Sequence, residues 1–486
     1  MMGTNTKELI KIIVVVFFTC LLVYIVFWSG HHYSIDGVVM FQYAKSILFR
    51  HNLNLDPPIQ WGMEITHSTW SLGFTFVYIV VLAILSSIPW FNGIDFSHTP
   101  QDPGAKFNRL LLYDPTYRYS SFVNPIITAT SAALLYYLCI QLGLSKKRAI
   151  AVSLIFGIAS PAAVYAKLDY AQPVASLLVI SALIFFIKAR SVKIEYLVVT
   201  GIFLGLAVWA RTEMVIIPAI NFCVAAFFVQ SSKSGGLILW RPGIRNLMLI
   251  STPIIISVIL HQWINFVRFA NPLSVGIDIG NSFILEFSRA FHVVVTQVVS
   301  NDIGLVMFLP LTILSFAGLC TLIKNDRLIG FLFLSIFIGS AILYSLWWDW
   351  SGGVTWGPRF YLPIIPFILI SAFFINTEKT LNLWLVVLFS LLVILGAIAT
   401  LNGLLFTDMD HATDLVLKGD YHFNLSELPF VLNIHDLSKL EKYDIRWLDS
   451  IANSGSSIRF LIFSGCIFLL GFLLKVWIDI YFSDNK

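Results

Sequence analysis

Apolar runs of about 20 residues recur along almost the whole chain, and no other feature restricts the fold as strongly. A helix of this length crosses the ~30 Å hydrocarbon core of a bilayer, where every backbone polar group must be satisfied internally. Charged residues make up 12% of the sequence, whereas a soluble domain has about a quarter. The sequence therefore predicts an all-α polytopic membrane protein with about 12–13 transmembrane helices, in the segments 9–28, 69–90, 119–143, 149–166, 170–187, 195–210, 213–230, 246–267, 303–323, 328–347, 360–375, 381–406 and 458–480.

The positions of charged residues and cysteines exclude several other classes. The formal net charge of +4 gives no sign of a nucleic-acid partner, because most Lys and Arg residues lie in short loops. The first apolar run lies between basic residues and no small-residue cleavage motif follows it, so we expect a retained span. All five cysteines fall inside apolar runs, which is typical of small buried residues rather than of disulfides or metal ligands.

The basic clusters predict the orientation of the chain. By the positive-inside rule they belong in the cytoplasm, and they comprise 145–148, 188–193, Lys233 with Arg241 and Arg245, and 324–327. The opposite side then receives the first loop 29–68, the loop 268–302 and the polar segment 407–457. One conflict follows, because 69–90 and 119–143 both lie between this first loop and the cytoplasmic cluster 145–148. Either one of these segments enters and leaves on the same side, or a side assignment is wrong.

Three parts of the chain are predicted from this pattern. Residues 1–406 form a transmembrane catalytic module that includes the first outer loop. Residues 407–457 form an extramembrane loop or small cap, and 458–486 form a last transmembrane helix with a short tail.

The stretch "HHYSIDGVVMFQYAKSILF" (31–49) places a lone acid, Asp36, just beyond the first span. Val39, Tyr43 and Ile47 follow at helical spacing with polar residues between them, a pattern typical of a short helix on the membrane surface. Two interpretations stay open. Asp36 can cap this helix, since carboxylates are favoured at helix N-termini, or it can act as a general base at the membrane face.

Two further charged groups lie at the ends of spans on the same side. Asp169, in "YAKLDYAQPVASL", is either a functional acid near the bilayer or half of a surface pair with Lys167. Arg211, in "WARTEMVIIP", can bind a phosphate through two hydrogen bonds, or it can simply neutralise Glu213.

The stretch "WWDWSGGVTWGPRFYLPIIPF" (347–367) combines several signals of a binding site. Its Gly-Gly pair and Pro358 indicate an irregular loop, and its tryptophans, including Trp356, suit the membrane–water interface. Arg359 lies at the start of a span, where a helix N-terminus also favours anions. This predicts a site for a lipid-linked phosphate. The alternative is an aromatic belt with an arginine that extends to the interface.

No cofactor is indicated with certainty. A P-loop, a dinucleotide fingerprint and a catalytic serine elbow are all missing from the sequence. The pair His31–His32 is better explained by interfacial side chains than by metal ligands. A divalent metal is left open by the cluster Asp408, Asp410, His411 and Asp414, for which a solvated acidic loop is the better interpretation.

Taken in order, these stretches resemble the GT-C superfamily of membrane glycosyltransferases, which includes protein O-mannosyltransferases and lipid A aminoarabinose transferases. The likeness covers roughly residues 10–375 and rests on "YSIDGVVMFQYAKSIL", "THSTWSLGFTFVYIVVLAI", "YAKLDYAQPVASLLVISAL", "GLAVWARTEMVIIPA" and "WGPRFYLPIIPF". Two positions depart from the pattern of the superfamily. Gly37 stands where many relatives have a second acid, and Gln172 stands where many have an acid before the proline. Asp169, three residues earlier, can substitute for the latter acid.

The resemblance implies a sugar donor linked to polyprenyl phosphate, with Asp36 as the catalytic base and Arg359 and Arg211 on the lipid phosphate. The expected site comprises the catalytic residues Asp36 and Asp169 and the substrate-binding residues Arg359, Arg211, Glu213, Trp356, Lys45 and His67. Direct attack opposite the leaving phosphate implies an inverting hexosyl- or pentosyltransferase. The acceptor is a lipid, a glycan or a protein. A transporter or flippase of a lipid-linked saccharide is the alternative. We expect a multi-pass protein of a prokaryotic plasma membrane, with its site on the outer face.

Overall fold

The computed structural model describes residues 6–445 with the exception of 61–63, 69–71, 101–108, 230–239, 275–282, 302, 354, 376–382 and 407–443. The α-helices of this part are α1 (Thr6–Val26), α2 (Ile35–Arg50), α3 (Leu72–Ser87), α4 (Tyr117–Ser120), α5 (Val123–Gln141), α6 (Lys146–Ile158), α7 (Pro161–Lys167), α8 (Gln172–Ser191), α9 (Tyr196–Ala210), α10 (Pro218–Phe227), α11 (Trp240–Phe269), α12 (Phe287–Val299), α13 (Leu305–Phe308), α14 (Thr312–Asn325), α15 (Arg327–Leu346), α16 (Ile365–Phe373) and α17 (Leu383–Phe406).

Short 3₁₀ helices and a small hairpin complete the described part. The 3₁₀ helices are Pro89–Phe91, Arg109–Tyr113, Thr212–Val215 and Arg359–Ile364. Strands β1 (Ile59–Gln60) and β2 (Glu64–Ile65) pair antiparallel in the first loop. The predicted all-α class is therefore confirmed.

Six described helices are long and apolar enough to cross a membrane, and the bent pair α6–α7 makes a seventh. The bend of 47° occurs at Pro161, where Ser160 caps the new helix by accepting from the backbone N–H of Ala162 at 3.2 Å. Every predicted segment from 9–28 to 381–406 contains a helix, several of them shorter than a full span. Helix α12 is an additional apolar helix inside the predicted outer loop 268–302, and segment 458–480 lies outside the described residues.

Small residues allow the helices to pack closely. At Gly201 in α9, an added Cβ would lie 2.2 Å from the carbonyl oxygen of Ile250 in α11. Such close contact is typical of membrane helices, whose association depends on van der Waals packing rather than on hydrophobic exclusion from lipid. The four described cysteines are free thiols, of which Cys20 and Cys139 are buried as the sequence predicts, whereas Cys320 is exposed.

The predicted cytoplasmic clusters meet at one end of the bundle, the basic end. There Lys146 at the start of α6 pairs with Glu8 in α1. Arg190 at the end of α8 pairs with Asp326 at 2.7 Å. Arg245 pairs with Glu195 at 3.3 Å. These contacts agree with the predicted common side for the basic loops.

Helix α3 resolves the conflict in the predicted topology. Its first turn packs on the end of α9, where an added Cβ at Gly73 would meet the backbone of Ala210. The chain that follows α3 returns to the same end of the bundle, because Phe91 contacts Tyr119 with ring centroids 5.2 Å apart. Both ends of α3 therefore lie at the end opposite the basic end, which we call the Asp36 end. Of the two solutions, the one in which a segment enters and leaves on the same side is supported.

Cysteine labelling tests the course of α3. Ser87 is the last residue of α3, and Ser191 lies at the basic end; both are exposed. We expect a membrane-impermeant maleimide to label Ser87→Cys from the same side as Asn54→Cys in the first loop, and Ser191→Cys only from the other side. Labelling of Ser87→Cys together with Ser191→Cys would show that α3 crosses the membrane.

Candidate active site

Asp36 lies in the first turn of α2 but does not cap it. The cap is Ser34, whose hydroxyl accepts from the backbone N–H of Gly37 at 3.0 Å. The carboxylate of Asp36 instead forms an ion pair with Arg359. The side chains of Asp36 and Arg359 are 12% and 13% exposed. Ser34 rather than Asp36 is therefore the N-cap, although Asp36 still lies in the first turn, where a carboxylate is favoured. The role of Asp36 as a general base stays a prediction.

Asp169 is buried and hydrogen-bonded to the segment that leads into α2. Its carboxylate accepts from Nδ1 of His32 at 2.8 Å, from the backbone N–H of Tyr33 at 3.3 Å and from the hydroxyl of Ser34 at 3.1 Å. His32 is itself buried and stacks on Tyr117 with ring centroids 3.5 Å apart. This answers a question left open by the sequence: Asp169 is an internal hydrogen-bond acceptor rather than half of a surface pair.

Gly37 is the position that makes room for Asp169. A Cβ added to Gly37 would lie 1.8 Å from Oδ2 of Asp169. Any side chain at residue 37 would therefore displace this carboxylate. Where many relatives have a second acid next to the first, this chain has Gly37, and the space beside it holds the carboxylate of Asp169 from the turn between α7 and α8.

Arg359 connects the loop 347–358 to the rest of the site. Its Nη1 donates to the carbonyl of Gly352 at 3.0 Å, and its guanidinium lies 4.1 Å from the ring centroid of Tyr170. Gly352 has a φ of +80°, a conformation that L-residues rarely adopt. The predicted loop is thus built around this arginine. The cation is held by a carboxylate, a carbonyl and an aromatic ring.

Gln172 links the two predicted phosphate-binding arginines. With its amide oxygen turned toward them, it accepts from Arg211 and from Nε of Arg359, the latter at 2.8 Å. Arg211 also pairs with Glu213, as one of its two interpretations expects, and phosphate binding by Arg211 stays a prediction. A neutral amide between two guanidinium groups leaves them more positive than an acid would. Gln172 therefore keeps this corner of the site suited to an anion.

Asp349 is a nearby carboxyl group that the sequence analysis does not single out. It lies in the loop before Arg359 and accepts from the hydroxyl of Ser351 at 3.2 Å. Burial raises the pKa of Asp349 more than the nearby charge of Arg359 lowers it. Asp349 lies between two tryptophans in "WWDW". This pattern is typical of an interfacial aromatic belt and therefore does not by itself indicate an acid near the site.

The remaining predicted substrate-binding residues have partners elsewhere. Lys45 is completely buried and pairs with Asp114 at 2.7 Å. Trp356 is 7% exposed and packs against Phe308 with ring centroids 5.6 Å apart. His67 is half-buried beside Phe269, and burial together with Arg268 lowers its pKa. Within the described residues, the contacts shown for these three side chains lie away from Asp36, Arg359 and Arg211, and their role in substrate binding stays a prediction.

A short piece of segment 407–457, Asp444 and Ile445, is described, and Asp444 contacts the first loop. Its carboxylate pairs with Lys167 and with His31, both at 2.9 Å, and also bonds Tyr33. Burial alone would raise the pKa of Asp444, but Lys167 and the two hydrogen-bond donors outweigh it and lower the pKa. Lys167 thus pairs with Asp444.

No group of three or more His, Cys, Asp or Glu residues in the described part of the chain is arranged to hold a metal ion. The cluster at Asp408, Asp410, His411 and Asp414 lies outside that part. The carboxylates of the site already have protein partners: Asp36 pairs with an arginine and Asp169 with a histidine.

Comparison with solved structures finds a distant likeness to membrane glycosyltransferases of the GT-C kind. The Archaeoglobus fulgidus oligosaccharyltransferase in its apo form is 13% identical with a TM-score of 0.47, and the match covers 82% of this chain and 56% of that one. ArnT from Cupriavidus metallidurans, bound to undecaprenyl phosphate, is 12% identical with a TM-score of 0.48, over 86% and 74% of the two chains.

The archaeal oligosaccharyltransferase AglB from Archaeoglobus fulgidus, in complex with an inhibitory peptide and a dolichol-phosphate, is 14% identical with a TM-score of 0.45, over 82% and 56% of the chains. The chain thus spans little more than half the length of the archaeal enzyme. No family model and no curated protein matches the sequence. At this distance the likeness assigns neither a reaction nor a substrate, so both are inferred below from the residues of the chain itself.

Substitutions in the buried pair Lys45–Asp114 test whether Lys45 stabilises the fold or binds substrate. Asp114→Asn leaves the ammonium of Lys45 buried without its anion, which we expect to lower the free energy of unfolding by about 3 kcal/mol. The double variant Lys45→Met, Asp114→Asn removes the stranded charge and should recover most of this loss. Both are measured by SDS-induced unfolding of the purified protein. If Lys45 binds substrate instead, Lys45→Met will weaken substrate binding while Asp114→Asn leaves stability unchanged.

Proposed function

We propose that the protein is an integral-membrane glycosyltransferase that moves a sugar from a polyprenyl-phosphate-linked donor to an acceptor, with inversion at the anomeric carbon. The observation that supports this most strongly is the meeting of Asp36 with Arg359, 323 residues apart in sequence. A carboxylate able to accept a proton and arginines able to bind a phosphate thus lie side by side at one end of a membrane bundle.

The roles follow from the needs of the reaction. The acceptor oxygen forms a bond to the anomeric carbon of the sugar and transfers its proton to Asp36. On the opposite face of that carbon, the bond to the phosphate oxygen breaks, and the phosphate leaves with the electron pair. Arg359 and Arg211 stabilise the charge on the leaving lipid phosphate.

The Asp36–Arg359 pair describes the protein before the donor binds. Three nitrogens of Arg359 already contact Gly352, Gln172 and Asp36. A donor phosphate competes with Asp36 for this guanidinium and frees a carboxylate oxygen to meet the acceptor. Donor binding in this way prepares the base, which limits reaction with water before the sugar is in place.

Asp169 stabilises this arrangement. Its three hydrogen bonds to residues 32–34 hold the start of α2, and therefore Asp36, against the turn between α7 and α8. We assign Asp169 to positioning the base. Asp349, which precedes Arg359 in the same loop and whose pKa is raised by burial, is the second candidate for proton transfer.

The site lies at the Asp36 end, opposite the basic end, and this supports a location on the outer face of a prokaryotic plasma membrane. Asp444 pairs with His31 of the first loop and with Lys167, and this contact supports a role for segment 407–457 in choosing the acceptor. The acceptor is a lipid, a glycan or a protein that meets the donor at this face.

Transfer from radiolabelled polyprenyl-phosphate sugars tests the proposal. In membranes that contain the protein, we expect Asp36→Asn to lower transfer at least about 100-fold, the lower range for losing a general base. Arg359→Gln should mainly weaken the apparent affinity for the donor. The assay with EDTA, and after re-addition of Mg²⁺ or Mn²⁺, tests the divalent metal that the sequence leaves open.

Each result of this assay has a defined meaning. Transfer that survives Asp36→Asn would remove Asp36 as the base. A labelled lipid that crosses the bilayer without any transfer, equally in wild type and variant, would favour the transporter over the enzyme.

Gly37→Ala tests the placement of Asp169. The added methyl group would occupy the position of the Asp169 carboxylate, so we expect turnover to fall about 100-fold, the loss typical of a misplacement of about 1 Å. Gly93→Ala is the matched control, because nothing lies within 4 Å of the Cβ added there. Unchanged turnover in Gly37→Ala would show that the buried acid does not position the base.

A further inference from the structure

Arg268, in the last turn of α11, is a buried arginine outside the site described above. It is 6% exposed, and its guanidinium lies 4.6 Å from the ring centroid of Phe269 and 5.5 Å from that of Tyr43 in α2. Nη1 has a long polar contact of 3.5 Å to Asn265, and the guanidinium lies close enough to the phenol of Tyr43 to interact with it electrostatically. Nε and Nη2 are buried without a hydrogen-bond partner within the described residues.

The charge of Arg268 lacks compensation. Among the described residues no carboxylate lies within ion-pairing distance of it, whereas Arg359 and Arg211 each contact one. An uncompensated buried charge costs several kcal/mol. Such a residue within a membrane protein is therefore expected to serve a ligand.

The two unpartnered nitrogens indicate the shape of the ligand. Nε and Nη2 form one edge of the planar guanidinium, and their N–H bonds point the same way. This edge is suited to two oxygens of one phosphate or carboxylate. Asn265 lies one turn earlier on the same face of α11, and His261 lies one turn before Asn265. Nε2 of His261 is also buried without a partner within the described residues. The unpartnered groups here are Nε and Nη2 of Arg268 and Nε2 of His261, and no described acid pairs with Arg268.

The surface beside Arg268 indicates where the ligand comes from. The adjacent face of α11 exposes a row of large apolar side chains at the Asp36 end, comprising Ile259, Leu260, Trp263, Phe266 and Val267. In a membrane protein such a row faces lipid tails. An anion bound at Arg268 therefore has an apolar path for its chain next to it.

We infer that Arg268 binds the phosphate head group of a membrane lipid, at a site distinct from the Asp36–Arg359 pair. Arg268 contacts α2 at Tyr43, whereas Arg359 contacts it at Asp36, and seven residues of helix separate these positions by about 10 Å. The lipid tails lie along the exposed face of α11. This binding does not depend on the reaction proposed above.

Thermal unfolding of the purified protein in a neutral detergent tests the inference, with dioleoylphosphatidic acid as the probe. Dioleoylglycerol, which has the same chains without the phosphate, and inorganic phosphate, which has no chains, are run in parallel. We expect only phosphatidic acid to raise the Tm of the wild type. Arg268→Gln should lower the apparent affinity for this lipid at least 10-fold and, because it removes a buried unpaired charge, should raise the Tm of the lipid-free protein.

Two variants control for charge and for the proposed active site. Arg245→Gln makes the same change at the basic end of α11, where the side chain is 63% exposed, and should leave lipid affinity unchanged. Arg359→Gln should also keep it, which separates this site from that of the proposed donor. The inference is overturned if Arg268→Gln keeps the lipid-induced rise in Tm or if dioleoylglycerol gives an equal rise. An equal rise with inorganic phosphate would overturn the assignment to a lipid.

Discussion

The hydrogen bonds to the buried carboxylate of Asp169 are the interaction on which the rest of the candidate site depends. A carboxylate without exposure to water must be surrounded by donors, and the nearest ones come from residues 32–34. The hydrogen bonds to Asp169 therefore hold the segment before α2 against the turn between α7 and α8. Ser34 both donates to Asp169 and caps α2, so the same contact determines where α2 begins.

The direction of Asp36 is a consequence of this arrangement. With Ser34 as the cap and Gly37 pressed against Asp169, the first turn of α2 can approach the buried acid only on the side that lacks a Cβ. Asp36 then faces the loop 347–358 and meets Arg359. Two carboxylates thus lie close together with different partners, one on a histidine and one on an arginine, which keeps their charges compensated separately.

Helices α2 and α3 place Asp36 and its partners at one end of the bundle. Both ends of α3 lie at the Asp36 end, and α3 packs along α2, where Phe41 and Tyr78 contact each other. The ion pair between Lys45 and Asp114 ties α2 to the chain that follows α3. These contacts hold α2 in place, with Arg359 at one end of α2 and Arg268 further along it.

Much of the architecture follows from the sequence by itself. Runs of apolar residues determine where helices form, because a backbone in lipid must satisfy its own hydrogen bonds. Basic loops determine which helix ends lie together. A short helix at Asp36 and the irregular loop before Arg359 were also predictable, since helical spacing and Gly-Pro content are local properties. The predicted polar face of this helix was wrong, because α2 is buried from Asp36 to Ser46.

Only the tertiary structure decided which of these residues meet. Lipid and protein interior are equally apolar, so an apolar run does not reveal whether it crosses, as α5 does, or returns, as α3 does. The sequence likewise does not distinguish Lys45, whose charge is used inside the fold, from Arg268, whose charge has no described partner. Pairs such as Asp36 with Arg359 are hundreds of residues apart, and their contact depends on how all the intervening helices pack.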